Sequence, residues 1–120
     1  MLNIITKNRL LILQLTGDLD IIQSNEFLSY VEKQRDSFDA ILIDMKQVDY
    51  LSSTGIGVLL HIYKKKLKIG IIVTKGSQVE TMLTLQNLEK VLDIFNSEEQ
   101  ALCYLKDFIT PSILKKKEDK

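Results

Sequence analysis

The sequence has too few cysteines and histidines for several common kinds of site. Cys103 is the only cysteine, so an internal disulfide is impossible. His61 is the only histidine, and a zinc site would have to draw its other ligands from Cys103 and scattered carboxylates. Ser53 and His61 would lie about 12 Å apart along a helix, too far for a nucleophile and its base. We therefore expect no metal site and no catalytic residues.

Phosphate-binding loops are missing as well. Gly55-Ile56-Gly57 begins like a dinucleotide-binding fingerprint, but Leu60 stands where the third glycine should be. The sequence contains no Gly-Lys-Ser/Thr phosphate loop. We therefore expect no cofactor, and the protein is not predicted to be an enzyme.

The sequence also lacks a net charge and long apolar runs. Sixteen basic side chains balance sixteen acidic ones, so no overall field attracts nucleic acid or an anionic membrane. No segment approaches the ~20 apolar residues that span a bilayer, and the first ten residues lack the apolar region of a signal peptide. These absences predict a cytoplasmic protein that binds neither nucleic acid nor membranes.

The composition that remains is that of one small globular domain. The chain has 120 residues, of which 45% are hydrophobic and 27% charged, enough for a single buried core. Pro111 and the lysine-rich end of the chain interrupt the pattern of helices and strands. We expect a domain over residues 1–109 and a flexible tail over residues 110–120.

Short apolar runs alternate with helical patterns along this domain. Strands are predicted at Asn3–Thr6, Leu10–Leu15, Ala40–Ile43, Lys68–Thr74 and Val91–Phe95. Helices are predicted to follow N-caps at Ser24, at Ser53 or Thr54, at Ser77 and at Ser97. The order β-β-α-β-α-β-α-β-α favours an α/β fold, with a mainly parallel sheet of about five strands and four helices packed against it.

The second predicted helix has an apolar stripe, which we expect to face the sheet. Its members share helical spacing and are Ile56, Leu59, Leu60, Tyr63 and Leu67. On the same helical wheel Val58 and Ile62 point away from the stripe. We therefore expect these two residues to form an exposed apolar face, a candidate docking anchor for a partner.

The start of this helix is unusually rich in hydroxyl groups. Ser52, Ser53 and Thr54 precede Gly55 and Gly57, although a helix cap needs only one hydroxyl. A phosphate at a helix N-terminus leaves the fold intact, because the helix dipole favours an anion there. The same dianion opposes a partner that docks on the uncharged turn, and a penalty of about 3 to 4 kcal/mol weakens binding several-hundredfold. The turn is therefore a candidate phosphorylation switch, with a simple helix cap as the alternative.

Two segments of the chain resemble those of the STAS domain family, and within it the stand-alone bacterial anti-sigma factor antagonists. Thr16-Gly17-Asp18-Leu19-Asp20 is similar to the family's Gly-Glu-Leu-Asp turn, and Ser52-Ser53-Thr54-Gly55-Ile56-Gly57-Val58 is similar to its Asp-Ser-Ser/Thr-Gly-Leu-Gly-Val segment. The resemblance extends from about Leu10 to Phe108. Neither segment is decisive alone, but together, at this separation and within this strand order, they are specific for the family.

The resemblance implies a partner-switching regulator. Its unphosphorylated form would bind an anti-sigma factor that has serine-kinase activity and so release a sigma factor. Phosphorylation by that kinase would break the complex, and a serine phosphatase would reset it. Such a protein is expected to be a monomer or a weak dimer.

The resemblance also assigns roles to individual residues. The phosphorylated serine falls on Ser53, with Ser52 and Thr54 less favoured. The aspartate of the family's first turn falls on Asp20, for which turn chemistry and a helix cap are the alternative. The partner-binding residues are expected to be Asp20, Ser52, Thr54, Gly55, Gly57, Val58 and Ile62. Ser52 stands where the family usually has an acidic residue. This departure leaves open an alternative, a STAS scaffold or accessory subunit of a signalling or transport complex that is never phosphorylated.

Overall fold

A five-stranded sheet forms the centre of the protein. The computed structural model describes residues 2–7, 9–64 and 68–106. In this part of the chain the strands are β1 (Leu2–Lys7), β2 (Leu10–Leu19), β3 (Ala40–Leu51), β4 (Lys68–Ile72) and β5 (Asp93–Phe95). They lie in the order β1-β2-β3-β4-β5. β1 is antiparallel to β2, and the other neighbours are parallel.

Four α-helices connect and cover the described strands. They are α1 (Ile21–Lys33), α2 (Ser53–Tyr63), α3 (Gln78–Leu85) and α4 (Glu98–Leu105). Short 3-10 turns occupy Arg35–Ser37 and Leu88–Lys90. The predicted α/β class, the element order and the mainly parallel sheet are confirmed. None of the described helices is long and apolar enough to cross a membrane.

Alternate residues of the central strands enter two separate apolar cores. Leu11 and Leu13 of β2 contribute to a core shared with α1, α2 and α3. Leu10 and Ile12 contribute to a smaller core that includes Ala101 and Leu105 of α4. Because both faces of the sheet are covered there, β2 and β3 begin with continuous apolar runs rather than alternating patterns.

β2 and β3 are both longer than predicted. The predicted strands end at Leu15 and Ile43, but β2 and β3 continue to Leu19 and Leu51. They stay paired across register shifts that follow Gln14 and Gly17. Gly17 has φ +84°, a left-handed conformation that glycine adopts readily. The glycine predicted to start a turn therefore lies within the ladder, and both strands end just before α1 and α2.

The start of the last strand differs from the prediction, and the end of the chain lies outside the described residues. β5 begins at Asp93 rather than Val91, because a 3-10 turn precedes it and leaves the Val91 side chain 43% exposed. The predicted N-caps Ser77 and Ser97 are confirmed. The tail over residues 110–120 lies outside the described residues. The domain boundary at residue 109 therefore stays a prediction.

Candidate functional site

The N-termini of α1 and α2 lie side by side at one edge of the sheet. Leu19 and Leu51 end β2 and β3 as paired residues, and each helix begins two residues later. The two helices pack against each other, which places their axes about 8 to 10 Å apart. Neither first turn contains an acidic residue. The positive end of the α2 dipole therefore lies at this edge without an acidic side chain in its first turn, a position that favours an added anion.

Ser52 is the N-cap of α2, and its hydroxyl is engaged in two hydrogen bonds. It accepts a bond from the Gly55 N–H at 3.0 Å and donates one to the Leu19 carbonyl oxygen at 2.7 Å. The expectation that Ser53 or Thr54 caps the helix is therefore wrong. Ser52 has the extended backbone that an N-cap requires, with φ −77° and ψ 166°. This side chain joins the end of β2 to the start of α2.

Ser53 is the accessible hydroxyl of the turn. It is the first residue of α2 and is exposed, whereas Ser52 and Thr54 are half-buried. No hydrogen bond within residues 2–7, 9–64 and 68–106 involves the Ser53 hydroxyl. A reagent or enzyme that approaches this edge of the sheet therefore meets an unoccupied oxygen at Ser53.

Asp20 caps α1 in the same way that Ser52 caps α2. Its Oδ1 accepts a hydrogen bond from the Gln23 N–H at 2.9 Å. The predicted cap Ser24 is wrong, because Ser24 lies inside the helix and is fully buried. Its hydroxyl donates to the Leu19 carbonyl oxygen at 3.4 Å. Asp20 itself remains exposed beside the α2 turn.

The two glycines of α2 have different environments. Gly55 is buried, and a Cβ added there would lie 2.9 Å from Leu51 Cδ1 and 3.2 Å from the Leu19 carbonyl oxygen. Glycine therefore lets the first turn of α2 pack closely on the ends of both strands. Gly57 is exposed, and an added Cβ would meet nothing within 4 Å. Of the two glycines predicted to contact a partner, only Gly57 lies on the surface.

The expected exposed face of Val58 and Ile62 is wrong. These side chains are only 5% and 1% exposed and belong to the main core, whereas Tyr63 of the predicted inward stripe is 42% exposed. Leu67 of that stripe lies outside the described residues. The true inward face includes Gly55, and a helical wheel built from apolar side chains does not count a glycine. The predicted stripe was therefore rotated about the helix axis.

Sequence reasoning missed three exposed apolar residues at this edge. Ile21 and Ile22 are 61% and 71% exposed and are the first two residues of α1. Tyr50 is 45% exposed and precedes the last residue of β3. The expected cap at Ser24 placed both isoleucines before the helix. Asp20 followed by an apolar pair was the signal that could have located them.

The N-terminus of α3 offers a contrast within the same fold. The Ser77 hydroxyl accepts from the Glu80 N–H at 3.2 Å. Glu80 in turn accepts from the Gly76 N–H at 2.7 Å and from Asn96 Nδ2 at 3.0 Å. The bond from Gly76, followed by that from Asn96, lowers the pKa of Glu80 below its ordinary value of 4.5. A carboxylate of the chain therefore already occupies this helix end.

The described residues do not provide a metal centre. No group of three or more His, Cys, Asp or Glu side chains in that part of the chain is arranged to hold a metal ion. His61 Nε2 instead lies 3.2 Å from Glu32 Oε1 on the surface of α1 and α2. The chemistry of the site therefore has to be argued from hydroxyls, helix ends and exposed apolar side chains.

Known proteins are similar to this chain in sequence or in fold. The anti-sigma F factor antagonist of Paenibacillus polymyxa is 28% identical over 106 residues, covering 79% of this chain and 86% of that protein. The crystal structure of an anti-sigma factor antagonist from Mycobacterium paratuberculosis has a TM-score of 0.78 at 18% identity, covering 88% and 93% of the two chains.

A further structural likeness is to the Bacillus cell fate determinant SpoIIAA in its phosphorylated form. The TM-score is 0.67 at 12% identity, with 88% of this chain and 99% of that chain covered. At such low identities the structural likenesses establish the fold alone. The STAS domain family itself matches residues 1–101 of the sequence. The chain therefore belongs to the STAS domain family.

Proposed function

We propose that this protein is an anti-sigma factor antagonist that is switched by phosphorylation of Ser53. In its unphosphorylated form it binds an anti-sigma factor with serine-kinase activity, and a sigma factor is released. The exposed, unoccupied hydroxyl of Ser53 at the first position of α2 is the observation that carries the proposal. Family membership and the name of the Paenibacillus relative support it. Anti-sigma factor antagonists of this family are regulatory proteins rather than enzymes, and we place this one in the cytoplasm.

The fold can accept a phosphate at Ser53. A phosphoserine carries about −1.5 to −2 charges at neutral pH. At the first position of α2 this charge faces the positive helix end, and the first turn contains no acidic residue that would repel it. The likeness to a Bacillus protein described in a phosphorylated form supports the same conclusion. Phosphorylated protein should therefore stay folded.

The docking surface does not tolerate the phosphate in the same way. It consists of the exposed Asp20, Ser53 and Gly57 together with the half-buried Ser52 and Thr54. A partner that covers this surface desolvates any charge on Ser53, and Asp20 adds a second negative charge nearby. A penalty of about 3 to 4 kcal/mol would weaken binding several-hundredfold. Removal of the phosphate by a serine phosphatase would restore the complex.

The structure favours Ser53 over its neighbours as the phosphate acceptor. Phosphorylation of Ser52 would remove the donor to the Leu19 carbonyl oxygen and place a dianion against that oxygen. Ser52 in place of an acidic residue still caps the helix, because serine and aspartate are both good N-caps. The departure from the family pattern therefore keeps the geometry of the turn, and Ser53 remains the available group.

The test is to incubate the purified protein with ATP and the serine-kinase anti-sigma factor of the same organism. Mass spectrometry of the digested product should find phosphate on Ser53, and Ser53→Ala should incorporate none. Phosphate confined to Ser52 or Thr54 would disprove the assignment. Binding without any phosphate transfer would instead support the unphosphorylated scaffold. A serine phosphatase added after the kinase should regenerate binding-competent protein.

A further inference from the structure

We propose that Ile21, Ile22 and Tyr50 form an apolar anchor that docks the serine-kinase anti-sigma factor beside Ser53. This inference rests on the proposed function, because it identifies what part of the surface holds the kinase. The three residues are here called the apolar anchor. The occupant we propose is the region of the kinase that surrounds its active site.

The isoleucines of the anchor contribute little to folding. Ile21 and Ile22 are 61% and 71% exposed, so most of their apolar surface remains in water. They occupy the first turn of α1, where polar and acidic residues are usually favoured. The corresponding turns of α3 and α4 contain Glu80 and Glu98, respectively. Two adjacent isoleucines at this position are explained by a partner that buries them.

The anchor is continuous with the candidate switch. Leu19 precedes the α1 cap by one residue, and its carbonyl oxygen accepts hydrogen bonds from the N–H and the hydroxyl of Ser52. Tyr50 lies one residue before the end of β3 and is paired with Asp18. The start of the anchor therefore lies about 8 to 10 Å from Ser53, the usual distance between the axes of two packed helices. A kinase must enclose the Ser53 hydroxyl to phosphorylate it, so the rim of its active site reaches over α1.

The charges around the anchor indicate the chemistry of this partner. Asp18, Asp20 and Asp49 are exposed. Asp49 precedes Tyr50 and Asp20 precedes Ile21 along the chain, and Asp18 is paired with Tyr50 across the two strands. Oppositely charged surfaces are favoured across an interface. The kinase is therefore expected to present an apolar pocket bordered by lysine or arginine.

Ile22→Ser is the direct test, and Leu85→Ser is its matched control. Leu85 is 75% exposed at the end of α3, away from the α1 and α2 N-termini. Isothermal titration calorimetry with the purified serine-kinase anti-sigma factor should show binding about tenfold to hundredfold weaker for Ile22→Ser. Leu85→Ser should bind like the wild type. Both variants should keep the circular dichroism spectrum and melting temperature of the folded protein.

The outcomes separate this inference from the proposed function. If the wild type is phosphorylated on Ser53 and Ile22→Ser binds as tightly, the anchor is disproved and the switch stands. If Leu85→Ser weakens binding equally, the anchor is also disproved. If the wild type neither binds the kinase nor accepts phosphate, the proposed function itself is wrong.

A second copy of the chain is the alternative occupant of the anchor. Sedimentation of the isolated protein at about 100 µM distinguishes it from the kinase. A dimer that Ile21→Ser/Ile22→Ser converts to a monomer would overturn the proposal. A monomer in both cases supports it, provided that the same double variant weakens kinase binding more than Ile22→Ser alone.

Discussion

The helix starts of α2 and α3 use the same cap but differ in what occupies the positive end. Ser52 and Ser77 each accept a hydrogen bond from the N–H three residues later. At α3, Glu80 supplies a negative charge and binds Gly76 and Asn96. At α2 the first turn has no acidic residue, and the Ser53 hydroxyl is exposed. One helix start is completed by the chain itself, whereas the other can accept an added anion.

The largest expected effect comes from placing an acid at the first position of each helix. Ser53→Asp and Gln78→Asp are matched, because both residues are exposed and follow a serine cap. Either change should leave the melting temperature within a few degrees of wild type, since an acid in the first turn is stabilising by ~0.3–1 kcal/mol. Only Ser53→Asp should weaken binding of the serine-kinase anti-sigma factor, by more than about a hundredfold. Equal affinities of the two variants, measured by calorimetry, would contradict the docking model.

The second effect concerns how closely the α2 start packs on the strands. Gly55→Ala should destabilise the protein by about 1 to 3 kcal/mol, because its Cβ would meet Leu51 and the fixed Leu19 carbonyl oxygen. Gly57→Ala should stabilise it by up to about 1 kcal/mol, because the added methyl group meets nothing and alanine favours a helix. Urea denaturation measures both. Equal stabilities would show that the first turn can move away from the strands.

The third effect separates the two serine caps. Ser77→Ala should cost about 1 kcal/mol, the usual value for losing one capping bond. Ser52→Ala should cost more, about 1 to 2 kcal/mol, because it also removes one of the donors to the carbonyl oxygen of the buried Leu19. The difference in the free energy of unfolding between the two variants measures the contribution of the hydrogen bond from the Ser52 hydroxyl to Leu19. A smaller loss at Ser52 would mean that water replaces its hydroxyl at Leu19.

Local signals in the sequence predicted the caps of α3 and α4 correctly but not the cap of α2. Ser77 and Ser97 were found because a Glu or Gln follows three residues later, and both caps are confirmed. At α2 the sequence predicts a cap at Ser53 or Thr54, but Ser52 caps the helix, and its hydroxyl also donates to the Leu19 carbonyl oxygen. That carbonyl comes from another strand. Its position depends on register shifts that no local pattern reveals.

The apolar pattern located the strands, although not their ends, and was misleading for the surface of α2. Continuous apolar runs indicated strands covered on both faces, and the structure has them. The face of α2 was misassigned because Gly55 faces inward without contributing apolar side-chain surface. The exposed Ile21 and Ile22 were missed because they lie beside a cap that had been placed at Ser24. The exposed apolar surface therefore lies at the start of α1 rather than on α2.

The smallest expected effect is the contribution of the Glu80 carboxylate at the N-terminus of α3 to the stability of the folded protein. Its pKa is lowered in the folded protein, first by the Gly76 N–H and then by Asn96. A lowered folded-state pKa gives stability above the ordinary value of 4.5, and this stability is lost as the pH falls through the folded-state value. Glu80→Gln should lower the melting temperature slightly at pH 7, by no more than about 2 °C, because the carboxylate is near the surface. The difference from wild type should shrink below pH 4.5. A difference that stays constant with pH would assign the effect to packing rather than to charge, and the two helix starts would then not differ in electrostatic terms.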